Sequence, residues 1–531
     1  MTKFDGFTPF ALEHGVQRSQ QIGRGIDERS IKVENEGGTH EQSLSRRWTF
    51  YGNIRSQIVI LYRIGNRLSD APSKFGKTAQ MMSRAGIVLA AGQGTRMKSA
   101  KPKVMHAVAG RPILGHVITA LKGAGTERIV VVTAPDAEEV RRYAASLNAE
   151  CVIQEQQLGT GHAAACARDK LAAFSGSVIV SYGDHPLFTS ATFDASFAAR
   201  DKAGMAVTAF RSKNPAYGRV IVDADGMLER IVEYKDADAE ERTVDLCNAG
   251  MMAADAKSFF RWAAELKNNN QQREYYLTDI PAIARREGVR CAIVTANEAE
   301  TMGVNSRAEL ALAEAEMQRR LRAAALAAGV GMIAPETVYL SCDTVLEPDV
   351  LLEPNIFFGP GVVVRSGATI KANCHLEGAE VGQGAIVGPF ARLRAGALLE
   401  EGVHIGNFVE VKNARIEKGA KANHLTYLGD ARVGAGANIG AGTITCNYDG
   451  FDKHHTDIGA GAFIGSNAAL VAPVTIADGA YVGAGSTIAK DVEENALAVV
   501  RAEQRIIPGW AEKFRTRKKA EKAAKTKRVK E

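Results

Sequence analysis

From residue 340 onward the chain sets an aliphatic or aromatic residue at every sixth position: Leu340, Leu346, Leu352, Phe358, Val364, Ile370 and Leu376. One five-residue step later the series resumes as Val381, Val387, Leu393, Leu399, Ile405 and Val411. It returns at Val433 and Ile439, then runs through Ile458, Ile464, Leu470, Ile476, Val482 and Ile488. Gly, Asp or Asn often follows three places after the apolar residue, and a small residue four places after. A fixed six-residue period predicts a parallel β-helix. Each hexad supplies one short strand and one turn, with the large and the small residue pointing inward, and Gly or Asn tolerates the turn geometry. About three hexads close one coil, and stacked coils bury a continuous core. Two stretches, 422–432 and 443–457, break the series and are expected to project as loops, where function commonly sits.

Upstream the pattern is different. Between Ser83 and about Asn305, short Val/Ile-rich runs (Gly86 to Gly92, Arg128 to Ala134, Ser177 to Asp184) alternate with amphipathic stretches such as Asp136 to Leu147. Strand–helix alternation predicts an α/β layer with a mainly parallel sheet. Ser306 to about Ala328 is rich in Ala, Leu, Glu and Arg, without Gly or Pro, and predicts one long linker helix. The expected organisation is therefore 83–305, 306–330 and 331–510. Residues 1–82 are polar and poorly periodic, and read as a disordered extension or a misassigned start, with Met81 or Met82 as the expected beginning of the functional chain.

Composition refines this little. Hydrophobic content of 46% and charged content of 24% are ordinary for a globular protein. No apolar run approaches the roughly 18 residues of a membrane span, and the N-terminus lacks a secretory layout, so a cytoplasmic protein is expected. The net charge of +6 is concentrated at the end: residues 511–531 hold ten Lys or Arg and three Glu, leaving the rest near neutral. Such a run reads as a solvated basic tail, and no nucleic-acid partner is expected. The seven cysteines form no CxxC pair, which argues against a disulfide framework or zinc site and for mostly buried thiols.

The first candidate chemistry is the segment Leu89-Ala90-Ala91-Gly92-Gln93-Gly94-Thr95-Arg96-Met97, which follows an expected strand and carries a cation. Its backbone N–H groups suit a phosphate-wrapping loop. It matches neither GxxxxGK[ST] nor GxGxxG. It closely resembles the sugar-1-phosphate nucleotidyltransferase signature LxxGxGxRM followed by Pro-Lys, here Pro102-Lys103. The resemblance continues through QLGTGHA (157–163), YGDHPL (182–187), YGR (217–219), IVEYKD (231–236), NAG (248–250), EYYLTD (274–279) and GVN (303–305). The ordered set resembles the bacterial bifunctional N-acetylglucosamine-1-phosphate uridylyltransferase / glucosamine-1-phosphate N-acetyltransferase family over about Ser83 to Trp510.

What the resemblance implies is specific. The fold would be a Rossmann-like nucleotidyltransferase domain, then a left-handed parallel β-helix assembling as a homotrimer. Leu89, Ala90, Ala91 and Gly92 would hold the nucleotide, with Tyr182 and Gly183 beside it. Gln154, Gly159 and Thr160 would read the uracil, and Arg96 and Lys103 would neutralise the triphosphate of UTP. Asp184 and Asn305 would ligate Mg²⁺, which prefers hard oxygen donors. Gly218, Glu233 and Asn248 would hold the sugar. In the β-helix, His424 of HLTYLGD would be the base for acetyl transfer from acetyl-CoA, since imidazole accepts a proton near neutral pH. Arg394, Lys412, Tyr427 and Asn438 would bind glucosamine-1-phosphate. Asn447 and Tyr448 of the second insertion would join Ala441, Ser466, Ala484 and Arg501 on the acetyl-CoA side. The product, UDP-N-acetylglucosamine, is a precursor of peptidoglycan and lipopolysaccharide. A single-activity nucleotidyltransferase with the β-helix as scaffold is the competing reading.

Overall fold

The computed structural model describes residues 83–215, 217–270 and 272–528. The expectation for residues 1–82 lies outside them. The first half is built on strands β1 (Arg84–Ala90), β2 (Arg128–Thr133), β3 (Glu150–Ile153), β4 (Ser177–Tyr182), β5 (Gly204–Arg211), β6 (Leu246–Asp255) and β7 (Arg290–Thr295). Their order across the sheet is β7-β5-β6-β4-β1-β2-β3. The pairs β1/β2, β1/β4, β2/β3 and β5/β7 are parallel, while β6 runs antiparallel to β4 and β5. The mainly parallel sheet foreseen from the sequence is present; β6 runs against it, and the short strands Arg219–Val222 and Leu228–Val232 add further antiparallel pairs.

Both faces are covered, which explains why the central strands read as unbroken apolar runs. Ile87, Val130 and Val180 enter one core, whereas Val88, Val131 and Ile179 enter the opposite one against Leu114, Val117, Ile118 and Leu121 of helix Ile113–Gly123. The carboxyl ends of the adjacent strands β1 and β4 therefore open together, and Gly183 N–H donates to Leu89 O at 2.8 Å just beyond them. Ligands of open α/β sheets bind at such strand ends.

The long helix spans Arg307–Ala327. It begins in a reciprocal cap: Ser306 Oγ accepts from Glu309 N–H, and Glu309 Oε2 accepts from Ser306 Oγ–H and from Asn305 N–H at 2.8 Å. Further along, Glu314 accepts the Ala109 N–H at 2.6 Å, and Gln318 clasps both backbone groups of Leu340. Ala109 O in turn accepts from Cys342 N–H at 2.9 Å. One helix thus ties the strand-end loops to the first coil.

From Leu340 the strands stack in three parallel ladders. One inward row runs Leu346, Val364, Val381, Leu399, Ile416, Val433, Ile458 and Ile476. A second runs Phe358, Leu376, Leu393, Val411 and Leu428. The third runs Leu352, Ile370, Val387, Ile405, Ala422, Ile439, Ile464 and Val482. Three places after many inward residues the backbone turns through positive φ, for example at Asp349, Asn355, Gly361, Gly367 and Asn373. That is the physical reason for the recurring Gly, Asn and Asp.

The ladders correct the first expected interruption. Residues 422–432 do not project: Ala422 and Leu428 are buried in the core, and strands Lys421–His424 and Tyr427–Val433 pair with the coils on either side. Two five-residue steps, Val411 to Ile416 and Leu428 to Val433, shifted the register and hid the repeat. In the second stretch, Thr443 and Thr445 are buried within the coil, so the excursion is shorter than 443–457. The basic end forms an exposed helix, Trp510–Arg528. No helix among the described residues is long and apolar enough to cross a membrane. All seven cysteines are free; Cys247, Cys291 and Cys374 are buried and the other four half-buried.

Candidate functional site

A cavity of about 260 Å³ opens at the ends of β1 and β4, and its walls include Leu89, Ala90, Ala91, Gly92, Lys103, Gln154, Gly159, Thr160, Tyr182 and Asp184. The structure thus brings together ten of the residues expected at the nucleotide. Gly159 has φ +105°, and a Cβ there would meet the Tyr275 backbone at 2.8 Å, so only glycine closes this wall. Gln154 Nε2–H donates to Gly159 O at 3.2 Å, and the amide of Gln157 donates to Ala91 O at 2.7 Å. Gln157, Val104, Ala163 and Glu274 also line the cavity. These four had been given no role, although Gln157, Ala163 and Glu274 lie within quoted motifs. A second, larger hollow of about 710 Å³ shares Gly92, Lys103 and Gln157 and continues past Gln93, Ser99 and Lys101.

At the cavity's polar end, Lys103 Nζ donates to Asp184 Oδ2 and, at 2.9 Å, to Asn305 Oδ1. Both charged side chains are largely buried. His185 Nδ1 lies 2.7 Å from the other carboxylate oxygen, Oδ1. Its ring stacks with both Tyr182 and Phe188. Burial alone would raise the Asp184 carboxyl, but His185 and Lys103 outweigh it and hold it well below the usual carboxylate range. Asp184 and Asn305, 121 residues apart, therefore aim oxygen atoms at one cation, the ammonium of Lys103. Among the described residues no group of three or more His, Cys, Asp or Glu is placed to hold a metal. A divalent ion here would take one carboxylate and one amide, the sparse hard-oxygen set that Mg²⁺ accepts with water and phosphate.

Gly218, Glu233 and Asn248 cluster apart from the nucleotide cavity. Asn248 N–H donates to Gly218 O at 2.9 Å, and a Cβ on Gly218 would come within 3.5 Å of Glu233 Oε2. Glu233 lines a separate hollow of about 380 Å³ with Asp236, Thr278 and Asp279, and burial raises its carboxyl. Arg96 is a different case. It lies exposed on the short turn Thr95–Met97 and does not line the cavity.

On the β-helix, Asn407 and His424 are partners on successive coils, and His424 Nδ1 lies 2.8 Å from Asn407 Oδ1. A carbonyl oxygen only accepts, so Nδ1 carries the proton and Nε2 presents its lone pair. The column continues upward. Gly442 N–H donates to His424 O, Asn467 N–H to Ala441 O and Gly485 N–H to Ser466 O, so His424, Ala441, Ser466 and Ala484 repeat one position of the coil. Arg501 donates to Ala484 O at 3.1 Å.

The expected sugar-phosphate residues occupy the neighbouring face. Arg394 pairs with Glu410 at 2.8 Å and sits near Tyr427. Lys412 lies against Lys453 and near Arg394, and repulsion from Lys453 lowers its ammonium pKa. Lys453, which sequence reasoning passed over, reaches this cluster because it pairs with Tyr448 across the second loop. Asn447 donates to Asp430, and Tyr448 Oη–H to Gly450 O at 2.6 Å. Asn438 stands on the face of His424, paired with Lys421 and Phe463. Within one chain the expected acetyl-transfer residues thus form two groups, with Leu425 at the corner between them.

Comparisons with known proteins agree with this division. Residues 86–248 match the family described as MobA-like NTP transferase domain, and residues 455–490 match bacterial transferase hexapeptide repeats. Three relatives called bifunctional protein GlmU align over more than four fifths of this chain. That of Paramagnetospirillum magneticum is 53% identical over 446 residues, which is 83% of this chain and 98% of the relative. Those of Ruegeria sp. and Acidiphilium cryptum are 51% and 54% identical over 84% and 82% of this chain, and over 100% and 99% of their own lengths.

Proposed function

The chain belongs to the bifunctional GlmU family, and from that premise we propose that it makes UDP-N-acetylglucosamine in two steps. Residues 331–510 transfer the acetyl group of acetyl-CoA to glucosamine-1-phosphate. Residues 83–305, joined to them by the helix 306–330, transfer uridylyl from UTP to the N-acetylated product and release pyrophosphate. The observation that carries this reading is the presence, in one chain, of an Asp184/Asn305 pair converging on the Lys103 ammonium beside a cavity of about 260 Å³ and a His424-bearing column on the β-helix.

In the first step His424 Nε2 takes a proton as the sugar amine attacks the acetyl carbon. The C–N bond forms, the C–S bond breaks, and the proton held by His424 passes to the sulfur, so that coenzyme A leaves as its thiol. Arg394, Lys412 and Lys453 face the sugar phosphate, and Ala441, Ser466, Ala484 and Arg501 form the wall along which acetyl-CoA lies. In the second step a phosphate oxygen of the sugar attacks the α-phosphorus of UTP, and the bond to the β-phosphate breaks. Such a transfer asks the protein for alignment and charge stabilisation rather than a nucleophile. Leu89 to Gly92 wrap the nucleotide, Gln154 and Thr160 meet its base, and Lys103 answers phosphate charge. Asp184 and Asn305 would hold Mg²⁺, which supplies further neutralisation of phosphate charge when bound. Gly218, Glu233 and Asn248 receive the sugar.

The separation of the acetyl-transfer residues favours a homotrimer through the β-helix, in which a second copy lies against the corner. That corner carries Phe390, Phe408 and Leu425, all exposed and all at positive φ. Bulky residues in that conformation are costly, and an exposed apolar row suits burial between copies. Both co-substrates being metabolites of the cell interior, the cytoplasm is the proposed location. The test is direct. Purified protein given acetyl-CoA and glucosamine-1-phosphate should release free thiol, and adding UTP should then release pyrophosphate. No thiol release would remove the acetyl-transfer half of the reading.

A further inference from the structure

Every oxygen that Asp184 and Asn305 offer toward a cation is already engaged. Asp184 Oδ1 faces His185 at 2.7 Å, and Asp184 Oδ2 and Asn305 Oδ1 both receive Lys103 Nζ. His185 has little freedom to let go, because its ring stacks with Tyr182 and Phe188 and packs on Gly303, where an added Cβ would meet it at 3.0 Å. A divalent ion held by Asp184 Oδ2 and Asn305 Oδ1 would therefore compete with the Lys103 ammonium for the same two oxygens. The ammonium has somewhere to go, since Lys103 lines both the nucleotide cavity and the larger hollow beside it. An anionic polyphosphate lying there offers Lys103 a competing set of oxygens.

We infer that Lys103 is a resident cation that closes the divalent-metal site while no polyphosphate is bound, so that the metal is admitted only when phosphate draws the ammonium away. Metal binding is thereby coupled to nucleotide binding through one side chain. This deepens the uridylyl-transfer reading and rests on the assignment of Asp184 and Asn305 to the metal. The coupling also follows from charge: two cations cannot share one carboxylate oxygen at low dielectric without strong repulsion.

The test uses Mn²⁺ alone on the full chain, followed by electron paramagnetic resonance of the free ion. Without nucleotide, the unaltered protein should bind Mn²⁺ weakly at this site, while Lys103→Met should bind it about ten- to a hundredfold more tightly, the range for loss of one competing charge-assisted hydrogen bond. Lys103→Gln serves as a second neutral variant should the first fold poorly, and Lys103→Arg, which keeps the charge, should remain weak. Thermal melting gives an independent readout: Mn²⁺ should raise the Tm of Lys103→Met and leave that of the unaltered protein unchanged. Equal Mn²⁺ affinity in the neutral variants and the unaltered protein would overturn the role of Lys103, while Mn²⁺ binding with UTP that still depends on Asp184 would leave the metal assignment standing. A gain in Lys103→Met that survives Asp184→Asn would overturn the metal assignment itself.

Discussion

The carbonyl oxygen of Asn407 lies 2.8 Å from Nδ1 of His424, one coil away on the same column of the β-helix. This bond selects the tautomer in which Nε2 is free to take a proton. Asn407→Ala should lower the rate of acetyl transfer by about tenfold, the worth of one hydrogen bond, with little change in KM for acetyl-CoA. Steady-state thiol release checks this, and pyrophosphate release by the same variant should be unaffected.

The Lys412–Lys453 contact predicts an anion. Two ammonium groups held together, with Arg394 nearby, are relieved when a phosphate enters. Lys453→Ala should raise the KM for glucosamine-1-phosphate by about tenfold and weaken competition by sulfate. An unchanged KM would separate Lys453 from the sugar-phosphate site.

His116 is one assignable source of acid sensitivity. His116 donates to Val108 O at 2.8 Å inside the core, and burial pushes its pKa from 6.5 down to about 4. Above about pH 6.5 the ring is neutral in both folded and unfolded chains, and the fold bears no penalty. As pH falls toward 4 the unfolded chain takes up the proton first, so stability drops by up to about 3 kcal/mol. His116→Gln keeps a donor but does not titrate. Denaturation at pH 7 and pH 4.5 should show a smaller acid loss in the variant.

Backbone packing beside His424 leaves no room for a methyl group at Gly406. A Cβ on Gly406 would sit 1.9 Å from Asn423 O. Gly406→Ala should cost about 1–3 kcal/mol and disturb the neighbouring Asn407. Loss of acetyl transfer with retained uridylyl transfer is the expected pattern in paired assays.

The β-helix was legible because one residue in six carries its core, and a register that long survives local exceptions. It failed where the inward residue was small, at Ala422, or where the step shortened to five, before Ile416 and Val433. Those changes keep strands paired while breaking the printed period. The strands β1, β2 and β4 were legible as apolar runs because both their faces are buried. The candidate nucleotide site was legible through contiguous motifs, but its closure was not. Lys103, Asp184 and Asn305 meet across 81 and 202 positions of chain, and no spacing rule brings them together. His185 has no assigned role in the sequence, since its contribution lies in two ring contacts and one hydrogen bond visible only in three dimensions. Lys453 was missed because it reaches Lys412 only through the fold of the second loop.

The account stands most directly on the independence of two centres in one chain. Asp184→Asn and His424→Ala, prepared side by side as full-length protein, should each be assayed for thiol release from acetyl-CoA with glucosamine-1-phosphate and, separately, for pyrophosphate release from UTP with N-acetylglucosamine-1-phosphate supplied. Asp184→Asn should lose pyrophosphate release and keep thiol release, and His424→Ala should do the reverse. Loss of both activities in either variant, or of neither, would contradict the assignment of uridylyl transfer to the Asp184 site and acetyl transfer to His424.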